Sequence, residues 1–297
     1  MNPSVLSNGN RGRRMSALLL AAVLAASLSF GMLTACSDNV PEGGTPGVTA
    51  PVTLPELSDA REPTDVTPYE TRISAAFSTT DPAPAEHFTY TADEDGITIT
   101  GYIGGEVVVV IPDTIADRPV VAIGDKAFAG KGTLQALSIP DSVTHIEMGA
   151  LKGCQSLTTL RTPVIACRVA PFFGGLFGAA THEINASAVP VTLTTLIVTG
   201  GTIVPDYAFY GCRGLEVISL PDTVTSIGAF AFYGAESLAY MPLAHTALET
   251  VGERAMTNCS SLLSVEIPSN VFRMGYAFLE GCGKLETLTI PFVGRYH

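Results

Sequence analysis

The sequence predicts an α/β-type solenoid, a right-handed coil of about 23 residues per turn whose short strands form a parallel β-sheet. Two observations lead to this fold class. Residues 138–157, SIPDSVTHIEMGALKGCQSL, return almost unchanged at residues 219–238 as SLPDTVTSIGAFAFYGAESL. A bulky apolar residue also follows alanine at intervals of 23, 24 and 22 residues, at Phe209, Phe232, Met256 and Phe278. A fixed period over several copies indicates a repeated coil rather than two catalytic loops.

Residues 1–35 have the layout of an export signal, in which the basic cluster RGRR precedes an apolar run. A membrane-spanning anchor is the alternative, although the run is short for a span and breaks at Gly31. The run ends in Leu33-Thr34-Ala35-Cys36, which resembles the lipobox of bacterial lipoproteins. The resemblance implies cleavage before Cys36 and lipid attachment to its sulfur. The expected location is then the cell surface, on the outer side of a bacterial membrane.

Residues 36–85 are rich in proline and threonine and sustain no helical or alternating period. This composition is typical of a disordered, semi-extended tether. We expect the folded part of the chain to begin after it.

Residues 86–112 predict a β-hairpin cap at the amino-terminal end of the stack. The segments FTYTA and GITITGY have strand composition, and Asp95-Gly96 lies between them as a turn. The acidic run that begins at Asp93 has the composition of a calcium loop but not its ligand spacing. A hairpin here covers apolar surface that the first coil would otherwise expose.

Residues 113–297 predict the solenoid itself, and every coil has the same internal order. L-x-x-L-x-I supplies a strand whose apolar side chains point inward, and the following proline ends the strand because it cannot donate to a ladder. Val-Thr-x-Ile-Gly then crosses another face, Ala-Phe packs inside, and Gly-Cys turns the chain back. Cysteines that share this last position are expected to be buried free thiols: Cys154, Cys212, Cys259 and Cys282.

The regular spacing fails at residues 164–198, where equivalent positions are 36 residues apart instead of 23. This insertion is rich in glycine and phenylalanine, and it forms either an elongated coil or a protruding loop. A loop would expose Phe172, Phe173 and Phe177 as an apolar patch for a partner, whereas an elongated coil would bury them. The sequence also stops inside a repeat, at TIPFVGRYH, which predicts a chain truncated at its carboxyl end.

The lines IPDSVTHIEMGALKGCQSLTTL and LPDTVTSIGAFAFYGAESL resemble the BspA-type leucine-rich repeat of bacterial surface proteins. The resemblance covers about residues 100–291. It implies adhesion or binding rather than chemistry, with a surface protein or glycan of host or bacterial origin as the partner.

Charge and motifs argue against several other functions. The net charge is −12, so the chain has no basic footprint for nucleic acid. The five histidines stand in no nucleophile–base or metal-binding motif. We therefore expect no enzyme activity, no cofactor and no metal.

The outward positions of the predicted strands form the candidate binding face. They are rich in threonine, serine and glutamate, for which a solvated strand surface is the plain alternative. The residues on this face best suited to contact a partner are Arg161, Glu216, Tyr240, Glu266 and Glu286. Tyrosine and arginine are residue types enriched at binding hot spots.

Three functions stay open at this point. The favoured one is a lipid-anchored binding protein without catalysis. The second is an accessory binding module of a larger surface enzyme whose catalytic domain lies beyond His297. The third is a structural spacer.

Overall fold

The computed structural model describes residues 13–15, residue 77 and residues 81–291. The predicted lipid-attachment residue Cys36, most of the export signal and the tether lie outside these ranges, as do residues 292–297. Among the described residues, no helix is long and apolar enough to cross a bilayer.

Parallel strands from successive coils form a sheet along one face of the solenoid. Its first five strands are β4 (Val108–Val110), β7 (Ala136–Ser138), β9 (Thr159–Thr162), β10 (Thr195–Val198) and β12 (Val217–Ser219). After an interruption near Tyr240 come β15 (Ser264–Glu266) and β17 (Thr287–Ile290), and β1 (Arg13–Met15) pairs antiparallel with β17. Inward residues of neighbouring coils pair in register, as Leu137 does with Leu160. The predicted parallel solenoid is confirmed.

A second row of parallel strands is built from the Val-Thr-x-Ile segments and from the cap. Before the insertion it contains β3 (Ile97–Tyr102), β6 (Arg118–Ile123) and β8 (His145–Ile146), with β5 (Thr114–Ile115) antiparallel to β6. After the insertion it contains β11 (Ile203–Val204), β13 (Ser226–Ile227), β14 (Thr250–Val251) and β16 (Arg273–Met274). Each coil is thus hydrogen-bonded to its neighbours on two faces.

The predicted hairpin cap is present. Strand β2 (Phe88–Ala92) pairs antiparallel with β3, after a 3₁₀-helix at Ala85–His87. The Asp93 carboxylate accepts the N–H groups of Asp95 and Gly96 at 3.0 and 3.1 Å, so the acidic run is a hairpin turn. Strand β4 lies within residues 86–112 and pairs with β7 of the solenoid sheet.

One buried side chain per coil fills the centre of the stack. The residues in this column are Phe128, Leu151, Phe173, Phe209, Phe232, Met256 and Leu279. Their backbones are linked from coil to coil, since the N–H of Phe209 donates to Ala231 O at 2.6 Å and that of Phe232 to Ala255 O at 2.7 Å. The column is therefore both packed and hydrogen-bonded along the stack.

The last coil has a different register from the one predicted. The N–H of Met256 donates to Phe278 O at 2.8 Å, so Phe278 occupies the alanine position and Leu279 the central one. Leu279 is buried, whereas Phe278 is only half-buried. Counted on Leu279, the central column has intervals of 23, 24 and 23 residues from Phe209 onward. The Ala-Phe pair at 277–278 matched the motif, but the distance to Cys282 fixes the register.

The insertion is an elongated coil, the alternative that buries its phenylalanines, so these residues do not form the candidate exposed patch. Phe172, Phe173 and Phe177 are at most 8% exposed. A 3₁₀-helix at Phe173–Phe177 replaces the usual turn and places Phe173 against Phe209, with ring centroids 5.2 Å apart. A second 3₁₀-helix at His182–Ile184 and α1 (Asn185–Ala188) return the chain to β10. The rings are buried because the longer coil must fill the same column as its neighbours.

A buried asparagine fastens the insertion to the next coil. The Asn185 side chain is fully buried, and its Oδ1 accepts the N–H of Gly174 at 3.0 Å. Its Nδ2 donates to Tyr207 O at 3.4 Å and to Ala208 O at 3.3 Å. The elongated coil and the coil that follows are therefore joined by one side chain.

Candidate binding surfaces

The residues predicted for the sheet face lie on it but do not form one cluster. Arg161 is in β9, opposite Ile197 of β10, and Tyr240 pairs with Val217 of β12 by a single bridge. Three steps between neighbouring strands separate their coils, a distance of about 14 Å at about 4.8 Å per step. Glu216 and Glu286 precede their strands, whereas Glu266 is the last residue of β15. Arg161 and Tyr240 are thus separate sites.

Arg161 connects coils rather than projecting freely from the sheet. Its Nη2 donates to both carboxylate oxygens of Asp141, at 3.0 and 2.8 Å, and its Nη1 donates to Ile139 O at 3.1 Å. Thr199 also donates to Asp141, at 2.6 Å, from two strands away. The insertion begins just after β9 and ends just before Thr199. Asp141 therefore connects residues that precede the insertion with one that follows it.

The pKa of Asp141 reflects these contacts. Burial alone would raise it, but the hydrogen bonds from Thr199 and Arg161, together with the charge of Arg161, lower it below its ordinary value. The carboxylate is therefore ionised at neutral pH and holds both donors.

A cleft of about 220 Å³ opens where the sheet is interrupted. Pro242 occupies the position that Ser219 and Glu266 hold in the neighbouring strands, and it has no N–H to donate to the ladder. The lining of this sheet-face cleft includes Tyr240, Ser264, Glu266, Thr287 and Thr289. The cleft therefore presents one aromatic ring, several hydroxyl groups and one carboxylate.

Several outward positions of the sheet are buried, contrary to a solvated strand surface. The buried ones are small or β-branched: Ala136, Ser138, Thr195 and Val217. Neighbouring strands lie only about 4.8 Å apart, so larger neighbours can cover small side chains. The accessible part of this face is concentrated near its longer side chains.

A second surface, not predicted from the sequence, carries a ladder of half-buried rings. We call His182, Tyr207, Tyr210, Phe230 and Tyr233 the aromatic ladder. Tyr207 stacks on Phe230 and Tyr210 on Tyr233, each pair with centroids 5.1 Å apart and planes within 6° of parallel. His182 from the insertion lies 4.1 Å from Tyr207 and edge-on to Tyr210. The sequence does contain a signal for this ladder. DYAFYG recurs as AFAFYG, which places rings at 23-residue intervals on both sides of the core phenylalanine.

A groove of about 520 Å³ lies beside the aromatic ladder. Its floor is formed by Gly211, Gly234, Asn258 and Gly281, which occupy the same left-handed turn in successive coils with φ between 61° and 76°. Tyr210 and Tyr233 precede the floor by one residue, and Arg213, Glu236 and Ser260 follow it by two. Because the coils stack in register, these residues form a ring-lined wall and a polar wall on either side.

The family model described as "BspA type Leucine rich repeat region" matches residues 114–168 and 192–294 in 6 copies, just over half of the chain. The chain belongs to this family.

Solved leucine-rich repeat proteins also resemble the chain, although their superposition is partial. The T. pallidum leucine-rich repeat protein TpLRR is 25% identical, with 69% of each chain covered and a TM-score of 0.27. A leucine rich cell surface protein from Faecalibacterium prausnitzii A2-165 is 25% identical over 71% of this chain and 54% of its own, with a TM-score of 0.46. A leucine-rich repeat protein from Bacteroides ovatus is 23% identical over 69% and 52%, with a TM-score of 0.40. The chain spans about half the length of the last two. No curated protein matches it.

The cysteines in the described part of this chain are buried free thiols, as predicted for the repeat positions. Three of them donate to a carbonyl of the central column one coil earlier: Cys154 to Phe128 at 3.2 Å, Cys259 to Phe232 at 3.3 Å and Cys282 to Met256 at 3.2 Å. Burial raises the pKa of Cys154 to about 11 and that of Cys212 above its ordinary value. A thiol that stays protonated is a poor nucleophile, so Cys154 and Cys212 serve packing.

Within residues 81–291, no group of three or more histidine, cysteine, aspartate or glutamate side chains is placed to hold a metal ion. The sheet-face cleft has Glu266 as its one ionisable side chain besides Tyr240. This arrangement can accept and donate hydrogen bonds and pack against an apolar group.

Proposed function

We propose that this leucine-rich repeat protein is exported, is anchored by lipid at Cys36 on the outer side of a bacterial membrane, and binds a surface protein or glycan without transforming it. The observation that carries the binding proposal is the cleft at the Pro242 interruption, which brings Tyr240 together with Glu266. These are two of the residues that the sequence marks for contact.

The size of the cleft supports binding of part of a macromolecule. Pockets that enclose a whole small ligand have volumes of about 300–1,000 Å³. A cleft of about 220 Å³ is smaller and suits one side chain or one sugar ring projecting from a larger partner. Broad contact along the sheet then supplies the rest of the interface, as solenoid sheets do.

The lining of the cleft favours binding over catalysis. General acid–base or nucleophilic chemistry needs at least two groups in hydrogen-bond reach with matched proton affinities. Glu266 has only hydroxyl groups and apolar side chains beside it in this lining.

The binding proposal is tested with the purified full chain on an array of surface proteins and glycans, in parallel with a panel of hydrolase substrates. We expect a saturable signal on the array and no turnover. Turnover abolished by Glu266→Gln would establish an enzyme instead. An array signal that never saturates would favour the structural spacer. A longer version of the protein with a separate catalytic domain would favour the accessory module.

The anchor proposal is tested by expression in a bacterial host supplied with an alkyne-tagged fatty acid. Cys36→Ala should abolish the label and release or mis-process the protein, whereas Cys154→Ala, at a buried core thiol, should keep the label. Equal labelling of both variants would contradict attachment at Cys36.

A further inference from the structure

We propose that the groove beside the aromatic ladder is a second binding surface, and that its partner is an extended polypeptide segment in which basic residues alternate with apolar ones. This surface is distinct from the sheet-face cleft, and the two have no lining residue in common.

The aromatic ladder is not needed to close the core. Phe209 and Phe232 stack inside the coil at 5.1 Å and are fully buried. Tyr210 and Tyr233 repeat that stacking one residue later in the chain, yet they remain half-buried and line the groove. Rings placed beside an open groove in this way provide contact area at low cost in conformational entropy.

The stacking of the rings favours a polypeptide over a sugar. The planes of Tyr210 and Tyr233 are 6° from parallel, so each ring covers a face of the other. What the pair presents sideways is ring edges and phenol groups rather than open faces. Edges pack well against aliphatic and aromatic side chains, whereas a sugar ring that stacks needs a free face.

The floor sets the length and direction of the partner. Its four residues, Gly211, Gly234, Asn258 and Gly281, span three steps between coils, about 14 Å at about 4.8 Å per step. An extended chain rises about 3.3 Å per residue, so four or five residues lie along the floor. Gly211, Gly234 and Gly281 each have a positive φ that favours glycine, and a Cβ added at Gly211 or Gly281 would press against Ala186 or Asn258.

The polar side of the groove sets the charge of the partner. Glu183 and Glu236 both line the groove, and Arg213 is the single cation of the lining. Arg213 pairs with Glu236 at 3.1 Å, and His182 of the aromatic ladder lies 3.6 Å from Glu183. A hydrogen bond from Thr181 lowers the pKa of Glu183, so this carboxylate is ionised at neutral pH. Successive side chains of an extended segment point to opposite sides. Apolar residues therefore face Tyr210 and Tyr233 while a lysine or arginine on the opposite side faces Glu236, and Glu183 of the insertion attracts a further basic residue at that end of the groove.

The test uses the purified full chain and a fluorescent peptide of six residues in which lysine alternates with leucine and tyrosine. A control peptide has glutamate in place of each lysine, and a set of neutral oligosaccharides provides the other class of ligand. Binding is followed by fluorescence anisotropy, and by competition for the oligosaccharides. We expect saturable binding of the lysine peptide alone, weakened by added salt because exposed charges are screened.

The decisive variant is Glu183→Lys with Glu236→Lys, which reverses two exposed charges and leaves the rings in place. Its matched control is Glu94→Lys with Glu249→Lys, which makes the same change in net charge at exposed positions away from the groove. We expect the first pair to weaken lysine-peptide binding about tenfold and the control pair about twofold or less. Tyr210→Ala with Tyr233→Ala should also weaken it, and Tyr→Phe at both positions should restore it.

Equal loss in both charge pairs would show non-specific attraction to an acidic protein and overturn the proposal. Binding of an oligosaccharide in place of the peptide, or of neither, would overturn it as well. Glu266→Ala separates this surface from the sheet-face cleft, because it should leave peptide binding unchanged.

Discussion

Phe209 and Phe232 occupy the same place in successive coils, with ring centroids 5.1 Å apart and planes 12° from parallel. Each ring is part of the wall against which the next coil packs. A single coil of about 23 residues cannot bury its own apolar face, so the stack is stable only when neighbours supply that wall. A defect in one coil is therefore felt by the coils on both sides.

Removing one ring of this column should be costly. Phe232→Ala is expected to lower the free energy of unfolding by about 3–5 kcal/mol, because it loses buried area and leaves a cavity. Thr225→Ala, which removes a hydroxyl that donates to Thr202 O, should cost about 1 kcal/mol. Thermal unfolding followed by circular dichroism compares the two. Similar small shifts in both variants would mean that the central column is assigned wrongly.

The ion pair of Asp141 with Arg161 should make stability depend on acid. The folded-state pKa of Asp141 is lowered, so its contribution is present above the unfolded value of about 3.9 and is lost as the pH falls through the folded value. Asp141→Asn should cost about 0.5–1 kcal/mol at pH 7, a modest figure because the carboxylate is largely exposed. The gap between wild type and variant should close below about pH 4.

The control for this prediction is Asp113→Asn, which changes the aspartate at the equivalent Pro-Asp position after β4. It should shift the unfolding curve little at any pH. A gap for Asp141→Asn that persists undiminished in acid would contradict a role for the ionised carboxylate.

The buried Asn185 side chain should contribute substantially to the stability of the insertion. Asn185→Ala leaves the buried Gly174 N–H without its partner and removes one of two donors from the carbonyls of Tyr207 and Ala208, which is expected to cost about 2–3 kcal/mol. Ser187→Ala, on the exposed side of the same short helix, should be nearly neutral. Hydrogen exchange at Gly174 measures the effect locally, and unchanged protection there would contradict the assignment.

The core thiols should resist modification until the solenoid unfolds. Cys154, Cys167, Cys212, Cys259 and Cys282 are buried and free, and burial keeps Cys154 protonated well above neutral pH. Intact-mass spectrometry after treatment with iodoacetamide at pH 7.5 should show no label on these five residues in native buffer and full labelling in denaturant. Rapid native labelling of Cys212, which is fully enclosed, would contradict the packing described.

Much of the fold could be predicted from the sequence because the same pattern of buried residues recurs in every coil. Leucine and isoleucine columns marked the strands, and the hairpin cap followed from its turn residues. The register of the last coil did not follow, because Ala277-Phe278 satisfies the local motif one residue too early. The hydrogen bond from Met256 to Phe278 shows the register, in agreement with the three-residue distance from Leu279 to Cys282.

The surfaces were harder to predict, because they depend on contacts between coils. The phenylalanines of the insertion resemble an exposed patch in the sequence, but Phe173 fills the core column beside Phe209. The attachment of Arg161 to Asp141 spans coils and leaves no local pattern. The aromatic ladder did leave a local pattern, namely rings at 23-residue spacing. Which of these rings reach the surface depends on the left-handed backbone conformation of Tyr207 and Phe230.

The most direct test of the central claim titrates the full chain against the surface molecule that gives the strongest array signal. The cleft variant is Tyr240→Ala with Glu266→Ala, and the matched control is Tyr90→Ala with Glu94→Ala on the hairpin cap. Our account predicts a saturable isotherm whose Kd rises about tenfold or more in the cleft variant and about twofold or less in the control, with melting temperatures unchanged. An unchanged Kd in the cleft variant, or equal losses in both, would contradict binding through the sheet face.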